Sequence, residues 1–365
     1  MTRRVLIAGG GTGGHLMPAL AVADALRDAH PHIEPVLVGA ERGVERHILP
    51  TRPYRYHLLP AEPLYRRQWW KNARWAGLVW RLYRACGALL DVEAPAAVLG
   101  TGGYAAGPIL FRAARRGIPV LLQEQNARPG TTTRWLSRRA RQIYLGFPEA
   151  RNHLRIAPDA DVFAFGNPIT PPPEPRPERA AARQRLAIPP GAPVVLVAGG
   201  SQGARSINRA LAAGIARGWW DRCVLLWSTG HGTWSEFKQL DAPPLRQLRP
   251  FWDPMAHAYA AADLAVTRAG AMTTAELCAW GLPAVLIPLP TAAADHQSRN
   301  AEALARAGAM VHLPERELTP EFLWEHASRL LEHRTMLGEM RESALQRGRP
   351  NAARSIADRI AAIVS

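Results

Sequence analysis

The chain alternates short apolar runs with stretches whose apolar residues recur at helical spacing. Residues 5–8, Val-Leu-Ile-Ala, form an apolar run that stops at the glycine cluster of residues 9–15, Gly-Gly-Gly-Thr-Gly-Gly-His. An apolar run of that length ahead of clustered glycines predicts a buried parallel strand turning tightly into a helix, here with a helical pattern starting near Pro18. Residues 19–29 have helical composition, 36–39 predict a second strand, and 41–49 a further helical stretch. A third strand at 96–99 leads into Gly100-Thr101-Gly102-Gly103-Tyr104, and a fourth at 120–123 ends in Glu124-Gln125-Asn126. Strand ends of a parallel sheet share one carboxyl edge, so these glycine-rich and polar loops predict a site along it.

The same grammar restarts after a proline-rich stretch at 166–177. A strand at 194–198 is followed by the loop 199–204, Gly-Gly-Ser-Gln-Gly-Ala, and by the helical 207–216. Strands are predicted at 223–227, 264–267 and 284–287, a helix at 254–262, and helical stretches run on through Ile363. Both halves therefore read as doubly wound α/β units with loops at strand ends.

Composition narrows the class. A chain of 365 residues with 47% hydrophobic residues is comfortable as two α/β domains. Cys86, Cys223 and Cys278 lie far apart in no C-x-x-C spacing, which suggests neither a disulfide framework nor a zinc site and fits a reducing compartment. The run at 5–8 is shorter than a secretory signal core, and no apolar segment approaches a membrane span. The formal charge of +15 suits nucleic acid, an anionic membrane surface or phosphorylated substrates. Between residues 65 and 90, Arg66, Arg67, Trp69, Trp70, Lys71, Arg74, Trp80, Arg81, Tyr83 and Arg84 mix rings with cations. An ordinary core face accounts for Trp75, Leu78, Leu82, Cys86 and Leu89, which recur at near-helical spacing. Trp69, Trp70, Trp80 and Tyr83 remain as surplus aromatic surface, suited to the headgroup zone of an anionic bilayer or to stacking on nucleic acid.

The chemistry concentrates in the loops. Gly9, Gly11 and Gly14 satisfy G-x-G-x-x-G, but Glu41 lies further along than the acidic residue of a dinucleotide site. In either case glycines let a phosphate approach the backbone, and the N–H groups of a helix start point at it. His15, on the rim, is the side chain there that can move a proton near neutral pH. At 268–276, Ala271, Met272, Thr273 and Thr274 offer N–H groups and two hydroxyls for a diphosphate, and Glu276, one turn on, a carboxylate for ribose hydroxyls or a capping box. Ser201 adds a donor to the 199–204 loop, which lacks the G-K-[ST] of a Walker loop. Asp295-His296-Gln297 is a polar cluster past a strand. Asp159 and Asp161 have D-x-D spacing but precede their strand and read as surface, so no metal cage is predicted and helix N-termini would meet a leaving group's charge.

Taken together, GGGTGGH at 9–15, LGTGGYAAGP at 99–108, QEQNARPG at 123–130, GNP at 166–168, GGSQGA at 199–204, RAGAMTTAE at 268–276 and DHQ at 295–297 closely resemble the MurG family. These are the peripheral-membrane N-acetylglucosaminyltransferases of glycosyltransferase family 28 that convert lipid I to lipid II in bacterial cell-wall synthesis. The resemblance covers essentially the whole chain. It implies a GT-B fold, two Rossmann-like doubly wound domains with parallel sheets facing an interdomain cleft. Residues 1–165 would form the acceptor and membrane-associating domain, 166–177 a linker, 178–347 the UDP-N-acetylglucosamine domain, and a last helix at about 348–365 would pack back on the first domain.

The resemblance also implies roles. Ser201, Ala271, Met272, Thr273, Thr274, Ala275, Glu276 and Gln297 would hold the donor, with Trp252 and Phe251 by the uracil, and with Thr12, Gly13, Gly14 and Asn126 reaching it from the first domain. Thr12, Gly13 and Gly14 would also line the acceptor side with Gly102, Gly103 and Tyr104, facing the lipid pyrophosphate, and Trp69, Trp70, Trp80, Tyr83 and Arg138 would form a membrane patch on the cytoplasmic face. Inverting transfer needs a base on the acceptor side, for which His15 is the candidate and Glu124 the rival. No cofactor or metal is implied, and the partners would be UDP-N-acetylglucosamine, lipid I and cell-wall synthesis and division proteins, with no nucleic acid.

This chain departs from the family pattern in three places. Gln123 stands where a histidine is frequent, Thr170 where an arginine follows GNP, and 65–68, Tyr-Arg-Arg-Gln, where arginine-glycine-lysine-glycine is common. The competing expectations are a related GT-B transferase for another lipid or natural-product acceptor, a nicotinamide dinucleotide oxidoreductase, and a nucleic-acid-binding module. The oxidoreductase leaves the second-half loops unexplained, and the nucleic-acid module leaves all the glycine loops so.

Overall fold

In the computed structural model, which describes residues 3–62 and 75–364, the chain divides into two compact units. The first is Met1–Thr170 with Pro350–Ser365, the second Pro171–Arg349. The divide falls inside the proline-rich stretch, so residues 166–170 belong to the first unit and the prolines from Pro171 onward to the second.

In the first unit β1 (Arg3–Gly9) leads to α1 (Gly13–Ala29), β2 (Ile33–Ala40) to α2 (Glu45–Ile48), β3 (Arg55–Leu59) to α3 (Trp75–Glu93), β4 (Ala97–Gly102) to α4 (Ala106–Arg115) and β5 (Val120–Glu124) to α5 (Thr131–Leu136). The last strands there are β6 (Gln142–Leu145) and β7 (Asp161–Phe163). The second unit runs α6 (Arg179–Arg185), β8 (Val194–Ala198), α7 (Arg205–Ala216), β9 (Val224–Ser228), α8 (Trp234–Phe237), β10 (Arg246–Arg249), α9 (Ala256–Ala261), β11 (Leu264–Thr267), α10 (Ala271–Trp280), β12 (Ala284–Leu286), α11 (His296–Arg306), β13 (Met310–His312), α12 (Pro320–Glu332) and α13 (Arg334–Arg347). The closing helix α14 (Ala352–Val364) belongs to the first unit.

The helix after β1 begins at Gly13, ahead of Pro18 where its apolar pattern starts, so Gly13 and Gly14 are its first turn. Both sheets are parallel, ordered β3-β2-β1-β4-β5-β6-β7 and β10-β9-β8-β11-β12-β13. Strands covered on both faces need apolar residues at successive positions, which is why they read as short continuous runs. Alternation then divides the residues between faces. Leu6, Ala8, Val36, Val38 and Val98 pack with α3 and α4, whereas Val5, Ile7, Leu37 and Leu99 pack with α1 and with Ile356, Ile360 and Val364 of α14. His30 Nε2 and Asp358 Oδ1, 2.8 Å apart, add a polar tie between α1 and α14.

Strand order reverses between β1 and β4 in the first sheet and between β8 and β11 in the second. At such a switch the connections leave on opposite faces, and a crevice opens above the carboxyl ends of the two central strands. The loops after β1, β4, β8 and β11 are the glycine-rich ones.

Candidate active site

In the first unit two loops interlock. Gly11 (φ 88°), Gly102 (φ 102°) and Gly103 (φ 82°) adopt the left-handed backbone that favours glycine. A Cβ on Gly103 would collide with the Gly10 carbonyl, one on Gly11 would meet the Tyr104 ring at 2.5 Å, and one on Gly102 would meet His15 Cδ2 at 2.6 Å. Gly102, Gly103 and Tyr104 therefore lie directly on the loop that starts α1. Gly13 differs, because a Cβ there would meet nothing within 4 Å. Thr12, Gly13 and Gly14 are exposed, and no side chain caps the helix, so its first N–H groups face open space.

His15 is half-buried, with Nδ1 3.1 Å from Thr12 Oγ1 and its backbone carbonyl accepting from the Thr101 hydroxyl at 2.8 Å. Behind it a buried polar chain runs from Thr101 through Gln125 and Gln123 to Asn167, whose Nδ2 donates to the Gln125 carbonyl at 2.9 Å. Gln123, at the family's frequent histidine position, is a buried link in that chain. Glu124 is buried too. Its Oε1 accepts from the Asn126 backbone at 3.1 Å and from Asn126 Nδ2 at 3.3 Å, and its Oε2 accepts from Gly130 N–H at 3.0 Å. Those bonds brace the 126–130 loop and leave the carboxylate committed on both oxygens, a poor posture for a base.

In the second unit most of the predicted donor residues gather at the carboxyl ends of β8, β11 and β12. Ser201 is exposed in the loop after β8, and its carbonyl accepts from His231 N–H at 3.0 Å. Ala271, Met272, Thr273, Thr274 and Ala275 form the first turns of α10, whose cap position is Gly270, a residue with no side chain to cap the helix. Glu276 is half-buried and accepts from the Tyr259 hydroxyl at 2.7 Å. Burial pushes its pKa up, with the Tyr259 hydrogen bond pulling the other way, and burial next to Glu276 pushes Tyr259 well above the ordinary tyrosine value. Gln297, in the first turn of α11, accepts at Oε1 from Leu289 N–H at 2.9 Å, so the amide nitrogen is the group left to it as a donor. Thr12, Gly13, Gly14 and Asn126 lie in the first unit.

Trp252 is 2% exposed, and its ring lies under the Arg249 guanidinium at 4.1 Å. The neighbouring Phe251 is the exposed ring. Apolar character alone could not tell the two apart.

Trp69 and Trp70, with the 65–68 stretch, lie outside the described residues. Leu82, Cys86 and Leu89 are buried as a core face, and Trp80 is 59% exposed beneath Arg84. Tyr83 receives a hydrogen bond from Arg112 of α4, Phe111 stacks on the 73% exposed Trp135 of α5, and Arg139 covers Phe111. Trp80, Tyr83 and Trp135 with exposed Arg138 thus form a basic aromatic band over α3, α4 and α5. Trp135 escaped the sequence pattern, although Arg134, Arg138 and Arg139 around it carry the same signal. Among the described residues no helix is long and apolar enough to cross a membrane. Asp159 and Asp161 face Arg141 and Gln142 at the outer edge of the first sheet, away from the glycine loops of that unit.

Comparison with known proteins agrees with the fold. Residues 5–145 match the glycosyltransferase family 28 N-terminal domain, and residues 194–360 its C-terminal domain. The chain is 39% identical to a UDP-N-acetylglucosamine--N-acetylmuramyl-(pentapeptide) pyrophosphoryl-undecaprenol N-acetylglucosamine transferase of Desulforudis audaxviator, over 97% of each chain. It is 40% identical to the Salinibacter ruber protein of the same name, over 98% of this chain and 96% of the other. The crystal structure of Acinetobacter baumannii MurG superposes with a TM-score of 0.79 at 29% identity, over 99% of each chain. At 17% identity the calicheamicin glycosyltransferase CalG4, with a TM-score of 0.67, shares the fold alone. With two doubly wound sheets, glycine loops at both switch points and both halves of the family matched in order, this chain is a GT-B enzyme that belongs to glycosyltransferase family 28.

Proposed function

We propose that this protein transfers N-acetylglucosamine from UDP-N-acetylglucosamine to the C4 hydroxyl of the N-acetylmuramoyl sugar in lipid I, with inversion, releasing UDP and lipid II. The observation that carries this reading is kinship of 39% identity, over 97% of each chain, with a protein named for that transfer. The loops supply the chemistry. In the second unit the start of α10 and the Ser201 loop take the diphosphate, Glu276 held by Tyr259 takes the ribose, and exposed Phe251 backs the uracil. In the first unit the N–H groups of Thr12, Gly13 and Gly14 take the lipid pyrophosphate. His15 receives the proton of the attacking hydroxyl as the bond to the anomeric carbon forms and the bond to UDP breaks. Charge developing on the leaving diphosphate is met by helix N-termini, so no metal or cofactor is needed for this step.

The acceptor is held in a bilayer, and the band of Trp80, Tyr83 and Trp135 with its arginines suits an anionic leaflet at the cytoplasmic face. Replacing Trp80 and Trp135 together by alanine is expected to release the protein from anionic liposomes, as high salt does, while UDP affinity is unchanged. Retained liposome binding in that variant assigns the band to another partner.

The deciding experiment is transfer of radiolabelled sugar from UDP-N-acetylglucosamine to a lipid I analogue, with and without excess chelator. Product in both is expected. Absence of product in both refutes the proposed acceptor, and loss rescued by a divalent cation refutes the metal-free step and returns attention to Asp159 and Asp161.

A further inference from the structure

One carboxylate stands behind the first glycine loop, out of reach of either substrate. Glu45, the first residue of α2, is 0% exposed. Its Oε1 accepts from the Gly11 N–H at 2.8 Å and from the Ala40 N–H at 2.9 Å. Three glycines make room for it. A Cβ on Gly10 would collide with Oε1, one on Gly43 with the whole carboxylate, and one on Gly39 with Cγ. The side chain therefore sits in a mould formed by the end of β2, the turn after it and the glycine loop itself.

Its charge does not explain its presence. A carboxylate behind a helix N-terminus opposes the anion that the terminus attracts, and burying it away from water is costly. What it supplies is direction. With the Gly11 amide drawn inward and its φ at 88°, the chain turns outward at Thr12, and Thr12, Gly13 and Gly14 are the exposed residues. The Ala40 bond ties the same carboxylate to the neighbouring strand, so the loop is clamped to the sheet from below while Thr101 holds the His15 carbonyl from the side.

We infer that Glu45 is a positioning residue, which fixes the glycine loop in the form that receives the acceptor's diphosphate and aims His15 without touching either substrate; this rests on the acceptor-side role proposed above for that loop. Glu45→Gln keeps the Oε1 acceptor. Glu45→Ala removes it, and Gly39→Ala displaces it from outside the loop.

The test measures acceptor KM, donor KM and kcat in the full-length chain, together with amide hydrogen exchange of the peptide over residues 9–16. Glu45→Gln is expected within about two-fold of wild type in acceptor KM. Glu45→Ala and Gly39→Ala are each expected to raise acceptor KM about ten-fold or more and lower kcat, with donor KM unchanged. Exchange should accelerate at residues 9–16 while the β4 and β5 peptides stay protected. Unchanged acceptor KM and exchange in Glu45→Ala overturns the inference, as does a Glu45→Gln variant as damaged as Glu45→Ala. Exchange that accelerates across the whole first unit, or failure of both alanine variants to fold, makes Glu45 a residue of the fold alone and overturns it equally. If the wild type gives no product with the lipid I analogue, the proposed function fails, and the exchange data still decide what Glu45 does.

Discussion

The loops after β1 and after β8 look alike in sequence, each a glycine cluster between an apolar strand and a helix at a switch point, yet Gly13 of the first and Gly203 of the second serve opposite ends. In the first loop Gly13 has open space where a Cβ would be, and Gly10 and Gly11 are shaped by Glu45 beneath them. In the second, Gly199 would collide with Ala204 and Gly203 (φ 84°) with the Thr229 carbonyl, so both are demanded by the chain's own packing. The side chain proposed to read the ligand then comes from elsewhere, as Glu276 on α10 held by Tyr259 of α9. Glycine in a loop motif is thus two different signals, one of ligand approach and one of tight turning.

The difference is sharpest in the chemistry at the end of the first loop, where the largest effect is expected. His15→Ala should lower kcat by roughly 100- to 10,000-fold, the usual worth of a general base, with UDP-N-acetylglucosamine affinity unchanged. Glu124→Gln should act through the 126–130 loop, which it braces with three N–H donors, and so disturb KM more than kcat. Steady-state kinetics of both variants decide the matter. A His15→Ala enzyme with wild-type kcat beside a dead Glu124→Gln would transfer the base to Glu124 and leave the first loop a pure phosphate cradle.

The two kinds of glycine can be separated directly. Gly13→Ala meets no atom within 4 Å at a helical position outside the left-handed region, so its Tm should be unchanged or slightly higher, since alanine is the better helix former by about 0.5–1 kcal/mol. Acceptor KM should nevertheless rise about ten-fold, because the methyl group occupies the approach to the N–H groups. Gly203→Ala should do the reverse, losing about 1–3 kcal/mol of stability to left-handed strain and overlap. Thermal melts beside acceptor titrations would erase the distinction if both variants lost stability alike.

How much of this was legible follows from where each residue's partners lie. The central strands were readable because burial on both faces forces continuous apolar runs, as at 194–198 and 264–267. The edge strands β3, Arg-Tyr-His-Leu-Leu, and β10, Arg-Gln-Leu-Arg, were missed because one flank is open and polar residues are tolerated there. The loops of the site were readable because glycine and a helix start adjoin in sequence. Glu45 and Tyr259 were not, since Glu45 acts on Gly11 across 34 positions and Tyr259 on Glu276 across 17, and nothing local marks either. Trp252 shows the converse limit, for two adjacent rings at 251 and 252 differ only in which side of the chain the core lies.

The smallest effects belong to Glu276, and they test whether the second loop cluster reads its ligand through a side chain. Glu276→Ala should weaken UDP by about ten-fold, as expected from losing a charge-assisted hydrogen bond worth about 1.5–3 kcal/mol, and weaken a 2′-deoxy nucleotide such as TDP far less. Equal losses for both nucleotides would take Glu276 off the ribose. The pH dependence carries a sign that a merely structural carboxylate would not share. Burial raises the pKa of Glu276 in the folded chain above its unfolded value, so its contribution to stability is fully present below the unfolded value and is lost as pH rises through the folded one. Ionisation of the side chain therefore costs stability, partly offset by the Tyr259 hydroxyl. Glu276→Gln should raise Tm slightly at neutral pH, match wild type in acid, and bind UDP more weakly with a flatter pH profile. Wild-type UDP affinity should fall as pH drops through the raised pKa, because protonation removes an acceptor for the ribose hydroxyls. Tyr259→Phe, which removes the opposing hydrogen bond, should move that fall to higher pH. If instead Glu276→Gln melts lower than wild type at neutral pH and leaves UDP affinity intact, the carboxylate is held for the fold, and the second loop cluster reads its ligand through backbone alone.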